Sequence, residues 1–588
     1  MDETQNQLGL SKTSVGMEST GYPSIDKPWL KYYSDSESDL MLPKHTVYEW
    51  IYSRNKDNEN ATSLMYFGKK ITYRELFKAT DDVIAALIQI GVKRGDVINL
   101  LVSTVPEAIY LVLACNCLGV LANFINPLFK KAQIVGRIND TESPYLFVLD
   151  KMIPMIQDIA EQTCIDTIVT IPVSNSFPLH IKLLTAFSPK KNVIGIEWNN
   201  FISLGYRKES LAEVYQPNTP VVMVYSSGTT GSAKGIVLTN EGILATCVME
   251  KYSIPTMVES SFLAIIPIWF STGIVSSVFV PLANGGTAVL EPQYSEENFA
   301  RDIVKYKPEG IIGTASLCEF FITHGHVKDL SFIKCFISGG EPISATFEDR
   351  INAFLHEKHC SHILTKGYGQ CECGSTVTLS VGKASTGDDA DVGIPLLGVT
   401  VSAFDIDTNA EKKSGAVGEI RVLTPARMLG YYKRPAETEH KFWTDDKERI
   451  WVCTGDAGYV TSDGRVVILG RISDSFINES GNRIFLFNIK NAILDCSAVK
   501  RCEVVKLDEK NGGLLVAHLV LKDNFDIGTA LSEIDTYLRE KLPPEAIPQA
   551  YKLRESFEIN ATSGKINVEA LKKEKDGYVD SANRPLDK

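Results

Sequence analysis

The segment 225–235, Tyr-Ser-Ser-Gly-Thr-Thr-Gly-Ser-Ala-Lys-Gly, follows the apolar run 221–224 and gathers glycines, hydroxyls and one lysine in a single loop. Gly228 and Gly231 let backbone N–H groups approach an anion closely. Ser226, Ser227, Thr229, Thr230 and Ser232 add hydroxyl donors, and Lys234 adds a mobile positive charge. The chemistry such a loop suits is phosphate binding. A Walker A loop would need Gly-Lys-Ser/Thr, but Ala233 precedes Lys234 and Gly235 follows it, so kinase and GTPase readings are disfavoured. A flexible surface turn fits less well, because the loop leaves a buried-type strand and enters Ile236-Val-Leu238 directly.

Further along lie Tyr368-Gly-Gln-Cys-Glu372, Gly418-Glu-Ile420, Thr454-Gly-Asp456, Leu469-Gly-Arg471 and Ser563-Gly-Lys-Ile566. Weaker echoes are Ile71-Thr-Tyr-Arg-Glu-Leu76, Ile337-Ser-Gly-Gly-Glu-Pro342 and Val392-Gly-Ile-Pro395. In this order the set resembles the signature of the adenylate-forming superfamily: acyl-CoA and aryl-CoA synthetases, nonribosomal peptide synthetase adenylation domains and beetle luciferases. It looks nearest to an AMP-dependent acyl-CoA synthetase, and the resemblance runs from about residue 45 to about residue 570.

The resemblance implies that a carboxylate attacks the α-phosphate of ATP, that pyrophosphate leaves with magnesium, and that a thiol then takes the acyl group from the adenylate. It makes Lys565 the lysine that stabilises charge during adenylation, Glu372 the Mg2+ ligand, and Thr229, Thr230 and Lys234 a clasp on the outer phosphates. Asp456 and Arg471 would hold the ribose. Tyr368 would stack beside adenine, with Gly339, Gly340 and Glu341 on its other side. Trp269, Phe270, Ser271 and Gly273, with Gly340 and Gly369, would shape the pocket for the acid, and Ser473 would be the hinge.

Four departures from the family pattern bear on these roles. Cys371 stands where the family has the Thr that contacts the α-phosphate, a poorer donor. Ala233 replaces a common proline, and Ser473 a hinge Asp or Lys. Asn488 and Lys490 stand where two carboxylates are usual. Amino-acid-activating relatives carry an aspartate near Ser271; its absence favours a fatty or aryl acid.

The elements that must position these residues alternate. β-Branched runs at 97–102, 145–149, 221–224, 262–266 and 335–337 are separated by helical stretches such as 75–89 and 299–306. The pattern predicts an α/β fold: a large N-terminal domain (41–471) of mostly parallel sheets closed by a small barrel-like unit around 399–422. A small mobile α+β domain (472–588) follows, with a hinge near 472–474, and residues 1–40 form a flexible N-terminal segment whose aromatics, 28–33, dock on the body. The 588-residue length is too great for one ordinary core.

A net charge of −12 argues against nucleic-acid or anionic-membrane binding. The N-terminus has neither a basic start nor an apolar core, so a cytoplasmic protein with reduced thiols is expected. The apolar stretch 109–125 is broken by Asn116, Gly119 and Asn123, and reads as a buried helix running into a strand. His356, His359, Cys360 and His362 match no zinc spacing.

The sequence thus predicts an ATP-dependent, AMP-forming ligase that adenylates a small-molecule carboxylic acid and transfers the acyl group to coenzyme A. Two alternatives stay open: loading of an acyl carrier protein's phosphopantetheine thiol, and a catalytically degenerate protein that binds nucleotide or acyl ligand.

Overall fold

The computed structural model describes residues 19–33, 40–185, 193–205, 215–225, 233–341, 343–380, 390–478, 483–507, 513–523, 525–558, 566–574 and 576–586. Helix Tyr73–Gln89 starts at a sequence-encoded stop to the preceding strand. Thr72 accepts from the Glu75 N–H at 3.2 Å, and the Glu75 carboxylate accepts from the Thr72 N–H at 2.7 Å. The helix buries Leu76, Val83 and Leu87 on one face. Helix Pro106–Cys117, opened by proline, is buried on every side, and strand Leu121–Phe124 follows it. No helix among the described residues is long and apolar enough to cross a membrane.

Two large sheets share the main core. In one, strands Pro220–Tyr225, Leu121–Phe124, Val97–Leu101, Tyr145–Leu149, Thr167–Ile171 and Ile196–Glu197 lie parallel in that order. Gly235–Thr239 folds back antiparallel on Pro220–Tyr225, and Gly430–Tyr431 pairs with it in turn. The other sheet runs Leu364–Gly369, Cys335–Gly339, Gly310–Gly313, Ser261–Ala264, Thr287–Leu290 and Thr62–Tyr66 in parallel, with antiparallel edges on both sides. Parallel strands covered on both faces need the continuous apolar runs this sequence supplies. The α/β architecture is the one the alternation predicts.

A third, curled antiparallel sheet joins Thr400–Phe404, Gly418–Leu423, Ile450–Val460, Phe442–Thr444 and Val466–Arg471. The N-terminal aromatics dock beside it. Tyr32 donates to Asp463 at 3.1 Å, Tyr33 donates to the Pro395 carbonyl at 2.8 Å, and Trp29 is 1% exposed. Gly464, at φ +96°, is required there, since a Cβ would lie 2.4 Å from the Trp29 nitrogen.

After Arg471 the chain makes a two-stranded ribbon, Ser475–Ile477 with Arg483–Phe485. A three-stranded sheet of Val499–Lys506, Leu515–Leu521 and Ala550–Leu553 follows, backed by helices Leu486–Leu494 and Ile527–Lys541. Its core, with Ile489, Ile493, Leu531, Ile534 and Leu538, draws only on residues of this C-terminal part.

Candidate active site

Lys234 heads strand Gly235–Thr239, and its ammonium sits 4.8 Å over the Tyr431 ring. Tyr431 is held there because Gly430–Tyr431 pairs antiparallel with that strand. Its hydroxyl donates to Glu372 Oε1 at 2.7 Å. Burial, and then the neighbouring Glu372 charge, push the Tyr431 phenol far above its ordinary range, so it stays a neutral donor. A cation, a phenol and a carboxylate from three separate elements thus meet in one line. Ser226, Ser227, Gly228, Thr229, Thr230 and Gly231, and likewise Lys565, lie outside the described residues.

A second group forms where the large sheet that holds the Tyr368 strand meets the curled sheet. Asp456 Oδ2 accepts from the Tyr368 hydroxyl at 2.5 Å and from Gln370 Nε2 at 2.8 Å. Asp456 Oδ1 takes the Arg471 Nε at 3.0 Å, because Asp456 and Arg471 are cross-strand partners in adjacent strands. Arg471 Nη1 also donates to the Thr454 carbonyl at 3.1 Å, and Lys441 Nζ reaches that carbonyl at 3.3 Å and Gln370 Oε1 at 3.2 Å. Gly455, at φ +74°, turns the backbone so that Asp456 faces inward.

Both groups line one cavity of about 2520 Å3. Its wall includes Gly339, Gly340, Glu341, Gly369, Cys371 and Ser473, and on the apolar side Ile266, Trp269, Phe270, Ile312 and Ile337 beside Ser271. Glu341 accepts from the Ser316 N–H at 3.0 Å, which fixes it at the strand end. Gly340 has φ +78° and open space where a Cβ would stand. Gly369 packs so closely that a Cβ would lie 1.8 Å from the Ser375 carbonyl. Gly273 contributes fit rather than surface: a Cβ there would lie 2.0 Å from the Pro267 carbonyl, where the π-helix Thr272–Phe279 begins. The C-terminal part brings Phe487, Lys490 and Arg501 to the same cavity, and Lys490 is paired with Glu503 at 2.7 Å.

A sequence model of the AMP-binding enzyme family matches residues 52–432, well over half the chain. The chain belongs to the AMP-binding enzyme family. Its relatives include a long-chain-fatty-acid–CoA ligase of Bacillus subtilis, 24% identical with 94% of this chain and 99% of that protein covered. An acetyl-coenzyme A synthetase of Dictyostelium discoideum is 25% identical, with 90% and 81% covered. Among solved structures, an anthranilate CoA ligase in complex with anthranoyl-AMP superposes with a TM-score of 0.75 at 20% identity, covering 91% of this chain and 98% of that one. Members of the family are AMP-forming acid–thiol ligases that use ATP with Mg2+ and coenzyme A.

The donor set fits magnesium. Glu372 is a single hard carboxylate on the cavity wall, and Mg2+ is ordinarily held by one or two carboxylates together with substrate phosphates. A bound Mg2+ would neutralise charge on the phosphate oxygens. Sequence reasoning missed Gln370, Tyr431 and Lys441. Gln370 sat unremarked inside a quoted motif, and the other two carry no local signal.

Proposed function

We propose that the chain activates a fatty or aryl carboxylic acid with ATP and passes the acyl group to coenzyme A. The observation that supports this reading most is that the Asp456 group and the Glu372 group open onto one cavity that also carries the apolar residues Ile266, Trp269, Phe270, Ile312 and Ile337, with Ser271 where an amino-acid pocket would place an acid. In the first step a carboxylate oxygen bonds to the α-phosphorus and the bond to pyrophosphate breaks. In the second a thiol sulfur bonds to the acyl carbon, AMP leaves with the electron pair, and the thiol proton is released.

In this reading Asp456 and Arg471 hold the ribose, Tyr368 and the Gly339–Glu341 turn flank adenine, and Lys234 with the loop hydroxyls Ser226, Thr229 and Thr230 steadies the outer phosphates. Lys565 stabilises charge at the α-phosphate, Glu372 is the metal ligand, and Ser473 turns the C-terminal part between half-reactions. Coenzyme A is preferred to a carrier-protein arm, since Lys490, Lys500 and Arg501 on the C-terminal side of the cavity suit its phosphates. The test is release of AMP and pyrophosphate from ATP over fatty, aryl and amino acids, with and without coenzyme A, beside Lys565→Ala. Acid-dependent AMP formation that vanishes in the variant supports the reading; nucleotide binding without AMP formation from any acid refutes it.

A further inference from the structure

Adenylation and thiol transfer leave a buried carboxyl group of the cavity without a role. Glu250, on helix Asn240–Ser253, is 2% exposed and lines the cavity. Its Oε1 accepts from Ser276 Oγ at 2.8 Å and from Thr376 Oγ1 at 2.8 Å. Its Oε2 meets no partner among the described residues. Ser276 shares a 2.8 Å hydrogen bond with Ser375, and Ser375 donates to Thr272 at 3.3 Å, so a chain of hydroxyls runs from Glu250 along this wall. Trp269, on the same cavity, buries an indole N–H that also finds no acceptor among the described residues.

This arrangement is costly as it stands. Burial raises the Glu250 carboxyl to about 7, and only the Ser276 and Thr376 hydroxyls oppose that; no lysine or arginine acts on it. Both hydroxyls would be served equally by the carbonyl of a glutamine, which carries no titratable group. Nothing in the packing of helix Asn240–Ser253 requires a second carboxylate oxygen. Buried polar atoms in folded proteins are partnered, so an unpartnered one on a side chain that lines a binding cavity marks where ligand polarity is met.

Resting on the reading of this cavity as the acyl site of an acid–thiol ligase, we propose that its acid carries a hydroxyl on the acyl part, remote from the reacting carboxylate, and that Glu250 selects it through Oε2. A hydroxyl suits the site in either protonation state of Glu250, since it donates to a carboxylate and accepts from a carboxylic acid. Ile266, Phe270, Ile312 and Ile337, on the same cavity, take the hydrocarbon.

The test compares acids that share a skeleton with and without the distal group: octanoic against 8-hydroxyoctanoic, dodecanoic against 12-hydroxydodecanoic, and cinnamic against 4-hydroxycinnamic and 4-aminocinnamic acid. The full chain is assayed by pyrophosphate release. For at least one skeleton the hydroxy acid is expected to exceed its parent in kcat/KM by about 10-fold or more, the range of a hydrogen bond to a charged group. Glu250→Leu should bring the pair to within about 3-fold, chiefly by improving the parent acid, with KM for ATP unchanged. Should that variant fail to fold, the unbranched Glu250→Met serves: it carries no polar hydrogen-bonding group to meet the hydroxyl and should likewise bring the pair to within about 3-fold.

Parent acids used as well as hydroxy acids in every pair would overturn the proposal while leaving the ligase reading intact. So would a hydroxyl preference that survives both substitutions, or a preference for the amine. AMP formation from no acid at all would remove the ligase reading, and this inference with it.

Discussion

Asp456→Ala tests the nucleotide site most directly, because the structure shows what the substitution leaves behind. The Asp456 side chain is 5% exposed and accepts from three donors, Tyr368, Gln370 and Arg471. Two of the three keep another acceptor, since Gln370 Nε2 and Arg471 Nη1 both reach the Thr454 carbonyl at 3.1 Å. The half-buried Tyr368 hydroxyl loses its acceptor and keeps only the Gln370 Nε2 that donates to it at 3.4 Å, at about 1–3 kcal/mol. The Arg471 side chain is 53% exposed, so its ion pair adds about 1 kcal/mol or less. The apo protein should therefore lose about 1–4 kcal/mol locally and remain folded. If the same carboxylate grips the ribose, the substitution also removes those hydrogen bonds, about 5- to 1000-fold in kcat/KM for ATP, with KM for the acid little changed. Steady-state kinetics with each substrate varied in turn, beside a melting curve, make the measurement. A KM for ATP within about twofold of the wild type, in a protein that has lost stability as calculated, would show that Asp456 only braces Tyr368 and would refute its role at the nucleotide.

Tyr431→Phe keeps the ring under Lys234 but removes the hydroxyl from Glu372; we expect kcat to fall by about 5- to 30-fold with a raised Mg2+ requirement, read from a magnesium titration. Gly369→Ala must displace the Ser375 carbonyl, which a Cβ would meet at 1.8 Å, and should cost more than about 2 kcal/mol in urea unfolding. Gly340→Ala, strained at φ +78° but with open space, should cost only about 1 kcal/mol. Glu250, ordinarily near 4.5 and raised to about 7, keeps a proton between those values that the unfolded chain has lost. Its contribution therefore makes stability fall as pH rises from 4.5 to about 7, by about 3 kcal/mol in all, and Glu250→Gln should flatten that fall and be the more stable protein at pH 8. Unfolding free energies at pH 5 and pH 8 check the sign; Glu291, raised to about 7 beside Asp302, acts in the same window and is unchanged in both proteins.

The sheets were legible because buried parallel strands need unbroken apolar runs, and such runs are visible without partners. Tyr145–Leu149 and Thr167–Ile171 pair over their whole length with each other, each a stretch of apolar and β-branched residues. The boundaries were less so: helix Glu296–Tyr306 begins three residues before its first buried aromatic because Ser295 caps it, a signal outside the apolar pattern. At the site, residues inside glycine-punctuated motifs could be named. Tyr431 and Lys441 could not, for a two-residue strand and the end of a seven-residue helix leave no periodicity, and their partners are 59 and 71 positions away in sequence. Glu250 was legible in principle as the lone acid of the buried stretch from Gly242 to Glu250, but no motif drew attention to it.

The group proposed for the nucleotide and the proposed hinge are adjacent in the chain. Arg471 ends strand Val466–Arg471, and the 3-10 turn Ile472–Asp474 that holds Ser473 follows at once. The arginine is tethered twice, through Nε to Asp456 and through Nη1 to the Thr454 carbonyl, so the strand side of the turn is fixed to the same carboxylate assigned to the ribose. On the other side, Gly470, at φ +133°, would place a Cβ 3.2 Å from Phe487 Cβ, which brings helix Leu486–Leu494 against the strand just before the hinge. A rotation at Ser473 would thus pivot on a tethered arginine and slide Phe487 across a glycine that offers no side chain to obstruct it. Because Arg471 is half exposed, its tether is worth about 1 kcal/mol or less, enough to bias the orientation of the C-terminal part and too little to lock it. A nucleotide that drew on the Asp456 carboxylate would weaken that bias, and occupancy at the ribose site would then favour the turn that the second half-reaction needs.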